Sequence, residues 1–334
     1  MNLFVTGAAG YIGSHFIADA LSEGHEVIAV DNLINSHIQT VDRVKQAAGK
    51  DFIFHKIDIC DGDALKEVMK KKEIDVVVHF AALKSVPESI INPLKYYKNN
   101  INGSMVLFEL MRELRIHNII FSSSASVYGS KHQSPIKEEF SLEPISPYAR
   151  TKVITENILT DFSLSLEEFK ALNLRYFNPV GCHETFLLGE TLSVKSTNLF
   201  PVVCNVAGGK KKNISIFGKD YDTHDGTPIR DYIHISDLVE GHLKALDWFK
   251  KEEKTSTLNL GTGIGYSVLD IINKFNSFLD QPLEFEFSPR RKGDPGSIYA
   301  DVSLAKSELD WTSSKDLESM CRDAWLWHSK NSLY

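Results

Sequence analysis

The sequence contains few cysteines, no long apolar run and no excess of basic residues. Its four cysteines are widely separated and form no C-x-x-C pair: Cys60, Cys182, Cys204 and Cys321. This usage is typical of reduced thiols rather than of a disulfide framework. The 44 acidic residues outnumber the 37 basic ones, and the net charge of −7 argues against a nucleic-acid-binding surface. The apolar stretches are only strand-sized, so we expect no membrane span. Met1 runs directly into the first strand and leaves no room for a cleavable signal, so we expect a cytoplasmic protein.

Apolar strands alternate with amphipathic helices in the first half of the chain. A length of 334 residues, of which 43% are hydrophobic and 24% charged, suits a globular protein of one large or two modest domains. Strands are predicted at 2–6, 26–30, 52–57, 75–80 and 118–121, and helices at 15–21, 40–48, 62–72 and 94–114. This alternation predicts an α/β fold with a doubly wound parallel sheet of the Rossmann type. We expect that domain to cover 1–179, followed by a smaller α/β domain at 180–334, with parts of 230–265 packing back on the first domain.

The first strand turns directly into the first helix through the stretch Gly7-Ala8-Ala9-Gly10-Tyr11-Ile12-Gly13. Backbone N–H groups at the start of a helix lack intrahelical partners, and the positive end of the helix dipole suits a phosphate. Gly7 permits the tight turn, Gly10 allows a pyrophosphate to approach the backbone, and Gly13 allows the helix to lie close to the strand. The turn therefore predicts a phosphate-binding site, although glycines at such a position often make only a turn.

Asp31 strengthens this interpretation because it ends the second strand, roughly 20 residues after the glycine turn. A carboxylate there bonds both ribose hydroxyls of adenosine and repels a 2′-phosphate, so the cofactor is predicted to be NAD rather than NADP. The alternative is that Asp31 merely opens a turn with Asn32. If NAD binds here, its contacts should come from the following loop and from the next strand ends: Asn32, Ser36, Asp58, Ile59, Phe80, Ala81, Ala82 and Lys84.

Ser146-Pro147-Tyr148-Ala149-Arg150-Thr151-Lys152 is the candidate catalytic segment. Ser146 can cap a helix and Pro147 suits its first turn. Tyr148 and Lys152 are then four residues apart and share one helix face. A solvated helix face would also explain such a pair, but its combination with a dinucleotide turn and with the preceding Ser122-Ser123-Ser124 run is much rarer.

The glycine turn, the serine run and the Y-x-x-x-K segment together resemble the extended short-chain dehydrogenase/reductase family. The likeness extends over essentially the whole chain, and its most telling segments are Val5–His15, Asp31–Leu33, Phe121–Ser124, Arg175–Gly181, Asp225–Thr227 and Arg230–His234. Within that family it points to the branch that inverts C4 of UDP-hexoses, with UDP-galactose and UDP-glucose as the expected pair. It also implies further cofactor contacts, from Tyr11, Ile12, Asn35, Asn99, Ser122, Tyr148, Lys152 and Phe177, and a homodimer formed through paired helices near 94–114 and 149–165.

The resemblance implies a mechanism with three catalytic residues. Tyr148, as phenolate, takes the proton of the sugar 4-hydroxyl while the C4 hydride passes to NAD⁺; the 4-keto sugar turns over and takes the hydride back, so NAD is not consumed. Ser124 bonds the 4-oxygen. A tyrosine pKa of ~10 must fall by about 3 units, or ~4 kcal/mol, for work near pH 7. One ammonium at ~5 Å supplies roughly 3 kcal/mol at an effective dielectric of ~20, so we infer that Lys152 and the positive nicotinamide ring act together.

By the same resemblance, the C-terminal domain binds the UDP-sugar. The implied contacts are Lys84, Ser124, Tyr148, Asn178, Asn198, Leu199, Phe217 near uracil, Arg230 and Arg291 on the diphosphate, Asp294 on the ribose, and Ile298 at the sugar. Arginine forks suit phosphate oxygens, and an acidic chain needs such local cations. The alternatives are that Arg230 forms a salt bridge with Asp231 or another acid, and that 290–294 is an exposed basic turn.

Two segments depart from the family pattern. Residues 183–197 carry Phe186-Leu187-Leu188 where relatives have small residues, which leaves the packing of that loop open. Ile298 is intermediate between the large and small residues of relatives, so N-acetylated UDP-sugars remain an alternative substrate; the segment 222–227 favours plain hexoses. No metal is expected, because His79 and His234 have no acid or cysteine at ligand spacing.

Three other functions are alternatives to C4 inversion, and each differs from it in its residues or its products. A nucleotide-sugar 4,6-dehydratase needs acids beside the tyrosine, where this chain has Ser123-Ser124. A simple NAD-dependent oxidoreductase of nucleotide sugars would leave net NADH, whereas an epimerase leaves none. A cofactor-sensing binding module would not need a base such as Tyr148.

Overall fold

The computed structural model describes residues 1–190, 198–251, 254–291 and 293–331. In chain order the strands of these residues are β1 (Asn2–Thr6), β2 (Glu26–Asp31), β3 (Ile53–Lys56), β4 (Val76–His79), β5 (Asn118–Ser124), β6 (Lys170–Tyr176), β7 (Asn178–Val180), β8 (Ile214–Phe217), β9 (Ile229–His234), β10 (Ser256–Leu260), β11 (Gly265–Ser267), β12 (Phe285–Ser288) and β13 (Ser297–Ile298).

The α-helices of the same residues are α1 (Tyr11–Ser22), α2 (Gln39–Ala48), α3 (Gly62–Met69), α4 (Val86–Ile91), α5 (Pro93–Tyr96), α6 (Gly103–Glu113), α7 (Pro147–Ser165), α8 (Leu199–Ala207), α9 (Ile235–Trp248), α10 (Val268–Asn276), α11 (Ser303–Leu309) and α12 (Leu317–Lys330). A π-helical turn, Tyr97–Asn102, joins α5 to α6, and a 3₁₀ turn, Ala125–Tyr128, follows β5. None of the described helices is long and apolar enough to cross a membrane.

The central sheet has seven parallel strands in the order β10-β6-β5-β4-β1-β2-β3. The predicted doubly wound α/β fold is therefore confirmed. Successive side chains of a strand point to opposite faces, so Phe4 and Val5 enter two different cores. Helices α3, α6 and α7 contribute to the core on the Phe4 face, and α1, α9 and α11 to the core on the Val5 face. Both faces are covered, which explains the apolar runs of the strands.

The C-terminal part supplies both small sheets and one strand of the large one. Strand β9 pairs with β7, β11 and β13, while β8 pairs with β12. A third core, with Val203, Ile271 and Phe275 at its centre, lies among α8, α10 and α12. Strand β10 returns to the central sheet beside β6, and α9 packs on α1.

The predicted helix at 94–114 is interrupted by the π-helical turn at 97–102, which the periodicity did not indicate. The buried Asn100 side chain bonds residues outside its own helix. Its Oδ1 accepts from Leu83 N at 2.8 Å, and its Nδ2 donates to Thr151 Oγ1 at 3.0 Å. The Asn100 carbonyl in turn accepts from Ser104 Oγ. These bonds tie the turn to the end of β4 and to α7, and π turns of this kind are frequent at functional sites.

Candidate active site

Tyr148 and Lys152 lie on the first two turns of α7, and Ser124 ends β5. The predicted cap is present, because Ser146 Oγ accepts from Ala149 N at 3.1 Å and Pro147 opens the helix. A hydrogen bond with Ser124 lowers the pKa of Tyr148, but burial has the larger effect and raises it. The protein's own groups therefore keep the phenol protonated and close to the serine.

Lys152 is 4% exposed, and burial lowers its pKa to about 7. Its Nζ donates to the Ser122 carbonyl at 2.6 Å and lies 4.8 Å from the centre of the Phe121 ring. The same nitrogen is 6.0 Å from the centre of the Tyr148 ring, so it faces the ring rather than bonding the hydroxyl. The Lys152 ammonium is thus placed between the serine strand and Tyr148.

The backbone of the glycine turn leaves little room for side chains at two of its three glycines, as a phosphate-binding turn requires. Gly7 has φ +70°, and a Cβ there would lie 2.6 Å from Ala81 N. A Cβ on Gly13 would lie 2.3 Å from Gly7 O, whereas one on Gly10 would meet only Gly7 O, at 3.2 Å. Gly10 precedes α1, and no side chain in the described part of the chain caps that helix. The backbone at the start of α1 is therefore accessible to an anion, as the dinucleotide interpretation requires.

Asp31 lies directly beside this turn. Its Oδ2 accepts from Ala9 N at 3.0 Å, and its Oδ1 accepts from Leu33 N and Ser36 Oγ, both at 2.8 Å. An oxygen that accepts from a serine hydroxyl can accept from a ribose hydroxyl in the same position. The acceptor oxygens of Asp31 therefore fit the ribose hydroxyls at the adenosine end of NAD.

The other predicted cofactor residues surround this edge of the sheet. Asn32 Nδ2 donates to Asp58 Oδ2 at 2.9 Å, Asn35 is exposed in the same loop, and Ile59 is buried in the core on the Phe4 face. Ala81 N donates to Thr6 Oγ1 at 3.3 Å. Small Ala81 and Ala82 are half-buried at the end of β4, and Phe80 packs against Phe16 and His242.

Three predicted contacts have protein partners that the sequence did not indicate. Lys84 is exposed and its Nζ lies 3.2 Å from Glu190 Oε1. Asn99, in the π turn, donates to Asn100 Oδ1 at 3.0 Å. Tyr11 donates to Gly181 O at 2.8 Å, which ties the start of α1, next to Ile12, to the loop after β7.

The predicted substrate residues lie around β7, β8, β9 and β13. Asn178 is exposed at the start of β7, Asn198 precedes α8, and Leu199 packs on the third core. Ile298 pairs in register with Arg230 and packs on a small core that contains Ala125 and Phe177. Since Ala125 follows Ser124, this core connects Ile298 to the serine strand.

Arg230 and Arg291 have different partners in this region: a carboxylate for Arg230 and an aromatic ring for Arg291. Arg230 forms an ion pair with Asp294 and donates to Ile229 O at 2.7 Å, so the salt-bridge alternative holds for the protein alone, with Asp294 as the partner rather than Asp231. Asp231 is instead buried and accepts from Thr262, Gly263 and Ala300. The exposed Arg291 lies 3.9 Å from the centre of the Phe217 ring. A cation on an aromatic ring presents a flat face to a base and N–H groups to a diphosphate.

Two features of this region escaped sequence reasoning. Arg290 lies 4.1 Å from the centre of the Tyr221 ring and donates to Asp220 Oδ1 at 2.7 Å, so this arginine is already paired within the protein. Phe186 has φ +56° in the unusual loop, and Leu188 of the same loop is buried in the core on the Val5 face. Residues 191–197 of that loop lie outside the described residues.

The histidines expected to be structural are bonded within the protein. His79 is buried between Thr6 Oγ1 at 2.7 Å and Ser104 Oγ at 2.9 Å, and burial lowers its pKa to about 3. His234 Nδ1 accepts from Ser236 N at 3.1 Å at the start of α9. Within the described residues, one surface group could share a cation: His224, Asp225 and Asp270.

Comparison with known proteins gives a consistent result. Residues 3–261 match the NAD dependent epimerase/dehydratase family. The chain is 45% identical over 331 residues to the UDP-glucose 4-epimerase of Bacillus subtilis (strain 168), covering 99% of this chain and 98% of that one. It is 42% identical over 338 residues to the UDP-glucose 4-epimerase of Drosophila melanogaster, covering 98% and 97%.

Solved structures agree with these relatives. The UDP-glucose-4-epimerase from Stenotrophomonas maltophila, with bound NAD and formylated UDP-arabinopyranose, has a TM-score of 0.97 and 42% identity, covering 100% of this chain and 99% of that one. The UDP-glucose 4-epimerase from Bifidobacterium longum, in complex with NAD⁺ and UDP, has a TM-score of 0.95 and 40% identity, covering 99% of both chains.

Proposed function

The chain belongs to the NAD dependent epimerase/dehydratase family, and on that premise we propose how its own residues interconvert UDP-glucose and UDP-galactose. The enzyme inverts the configuration at sugar C4 by transient oxidation, and NAD is its cofactor. The observation that carries the assignment of roles is that Tyr148 and Ser124 lie next to each other beside a buried Lys152.

Tyr148 is the general base, and Ser124 is the second side chain that hydrogen-bonds the sugar C4 oxygen. Two hydroxyls that lie side by side can both bond an alcohol oxygen placed between them. Tyr148 takes the proton of the sugar 4-hydroxyl and returns it after the sugar has turned over, while Ser124 holds the oxygen throughout. Bound NAD supplies the hydride acceptor and returns the same hydride, so no net NADH forms. Lys152 supplies the positive charge that favours the phenolate.

The remaining predicted residues are proposed to hold the two ends of the ligands. For the cofactor they are Gly7, Gly10, Tyr11, Ile12, Gly13, Asp31, Asn32, Asn35, Ser36, Asp58, Ile59, Phe80, Ala81, Ala82, Lys84, Asn99, Ser122 and Phe177. For the UDP-sugar they are Lys84, Asn178, Asn198, Leu199, Phe217, Arg230, Arg291, Asp294 and Ile298. A nucleotide fixed at its diphosphate leaves the sugar free to turn, which inversion at C4 demands. The division into domains 1–179 and 180–334 belongs to the same proposal.

The test is conversion of UDP-galactose to UDP-glucose, followed by mass spectrometry or chromatography of a small donor panel with NADH read at 340 nm. We expect interconversion of the two hexoses without net NADH. Net NADH would identify a simple oxidoreductase instead. UDP-N-acetylglucosamine in the panel tests the alternative substrate class, and we expect it to react more slowly because the segment 222–227 favours plain hexoses.

We also propose a homodimer through α5, α6 and α7, in the cytoplasm. Large apolar side chains are exposed on or beside these helices: Ile90 (63%), Ile91 (76%), Leu94 (80%), Met105 (44%) and Leu164 (82%). Exposed large apolar side chains on neighbouring helices are typical of a protein–protein interface, so a second copy is the expected partner.

The double variant Leu94→Glu/Met105→Glu is expected to convert the dimer to a monomer, because two carboxylates would be desolvated in the shared surface. Sedimentation velocity measures the change. The control is Ile264→Glu, which places the same charge on an exposed apolar residue outside these helices. A wild-type monomer, or an unchanged dimer in the double variant, would refute the proposed interface.

A further inference from the structure

Glu156 and Arg175 form a buried ion pair behind the catalytic side chains. Arg175 Nε donates to Glu156 Oε1 at 3.0 Å and its NH2 donates to Oε2 at 2.6 Å, while both side chains are about 5% exposed. Ser123 Oγ donates to the same Oε1. Arg175 NH1 donates to Tyr128 Oη at 2.8 Å and to the Glu138 carbonyl at 3.0 Å. The carboxylate is therefore fixed from two sides and has little freedom to move.

The position of this carboxylate relates it to all three proposed catalytic residues. Glu156 follows Lys152 by four residues, so it lies one turn further along α7 on the same face. Ser123 stands between Ser122, whose carbonyl binds Lys152, and Ser124. The register of β5 and β6 sets Ser123 opposite Arg175. One side chain thus connects the catalytic helix with the serine strand.

The negative charge of Glu156 stabilises the buried ammonium of Lys152. Burial disfavours the charged form of Lys152, and the Glu156 carboxylate favours it. The titratable groups that face this region are His79 from β4, Tyr148 and Glu156 from α7, and Arg175 and Tyr176 from β6; strand β5 presents the Phe121 ring and the Ser122 carbonyl. Burial keeps His79, Tyr148 and Tyr176 neutral near pH 7. Glu156 and Arg175 are therefore the fixed charges around Lys152.

We propose that Glu156 is a positioning residue, whose carboxylate, held by Ser123 and Arg175, keeps the Lys152 ammonium charged and directed at the serine strand. This inference rests on the roles proposed above for Tyr148, Lys152 and Ser124. Glu156 acts through Lys152 and does not touch the sugar. The ion pair accordingly influences Tyr148, the proposed base, through Lys152, which lies one helix turn from Glu156.

Two single substitutions are expected to act in opposite directions. Glu156→Gln keeps a hydrogen-bond acceptor but removes the negative charge, and it leaves Arg175 uncompensated, so the pKa of Lys152 falls by about 1 unit. Arg175→Met leaves the carboxylate with only Ser123 and Lys152 to stabilise its charge, so the pKa of Lys152 rises. The alkaline limb of the kcat profile, where Lys152 loses its proton, moves to lower pH in the first variant and to higher pH in the second.

The direct measurement is the ¹³Cε NMR titration of Lys152 in the full-length protein labelled with ¹³C-lysine, assigned with Lys152→Met. It needs no substrate, so it decides the inference even if UDP-galactose were left unchanged and the proposed function failed. Asp161→Asn is the matched control, because Asp161 is an exposed acid of the same helix. The control should leave the Lys152 titration where it is.

A merely structural role for the ion pair would reduce activity in both variants and leave the Lys152 titration in place. That outcome, or a shift in the same direction in both variants, would overturn the proposal. If Glu156→Gln does not fold, the double variant Glu156→Gln/Arg175→Met replaces the pair with neutral groups, which buried sites tolerate better than one unpaired charge. It differs from Arg175→Met only in lacking the carboxylate, so the Lys152 pKa must be lower in the double variant than in Arg175→Met.

Discussion

Replacing Tyr148 with phenylalanine is expected to lower kcat for UDP-galactose by about 10³-fold, within the range that general acid–base catalysis contributes. Phenylalanine keeps the ring, whose centre lies 6.0 Å from Lys152 Nζ, and removes only the hydroxyl beside Ser124. KM should change little, because most of the proposed substrate contacts are with the diphosphate and the uracil ring. Both of these lie far from the Tyr148 hydroxyl. Steady-state conversion of UDP-galactose to UDP-glucose measures both constants.

The matched control for this substitution is Tyr96→Phe. Tyr96 is fully buried and also loses one hydroxyl bond, its donation to Glu88 Oε2 at 2.9 Å, but it lies on α5 away from the serine strand. We expect kcat of this variant to stay near the wild-type value. If Tyr148→Phe kept more than about a tenth of the activity, the loss would be too small for a base, and another group would have to take the proton.

The pKa directions explain why this base needs charged neighbours. Burial raises the pKa of Tyr148 and lowers that of Lys152 to about 7, so neither group ionises easily without help. A positive charge favours the phenolate, and the Glu156 carboxylate favours the ammonium. The activity of the proposed base therefore depends on the charges placed around it.

Local sequence patterns predicted the parts of the site that depend on one element. The glycine turn, the Ser146 cap with Pro147, and the shared face of Tyr148 and Lys152 all follow from positions within one strand–turn–helix unit or one helix. The doubly wound sheet followed from the alternation of strands and helices. Such features are fixed by backbone geometry over a few residues, which a sequence displays directly.

The contacts of the site that the sequence did not predict depend on how separate helices and strands pack together. Asn100 binds Leu83 and Thr151 only because the π turn lies against both β4 and α7. The pairing of Arg175 with Glu156 requires the register of β5 and β6, which no single-chain pattern specifies. The ion pair of Arg230 with Asp294 likewise joins residues 64 positions apart. Periodicity shows which face of an element is buried but not which residue of the next element it will meet.

Replacing Gly7 with alanine is expected to cost both stability and cofactor binding. The residue has φ +70°, and its Cβ would lie within 2.8 Å of the backbone of Ala81 and Phe80. Left-handed backbone costs an alanine about 1 to 2 kcal/mol. The clash should add about 1 to 3 kcal/mol, because backbone atoms of a central strand end, unlike a flexible side chain, cannot move aside alone.

Gly49→Ala separates these two costs. Gly49 has φ +62° at the end of α2, but a Cβ there would meet no heavy atom of the described residues within 4 Å. It therefore has the backbone strain of Gly7→Ala without the clash. We expect the Gly7 variant to unfold at least several degrees below the Gly49 variant, at about 2 to 4 °C per kcal/mol, and to be purified with less NAD. Calorimetry and the NAD content of acid-denatured protein measure the two effects. Equal melting temperatures would mean that the end of β4 yields to the new methyl group, and equal NAD contents would mean that the glycine turn does not hold the pyrophosphate.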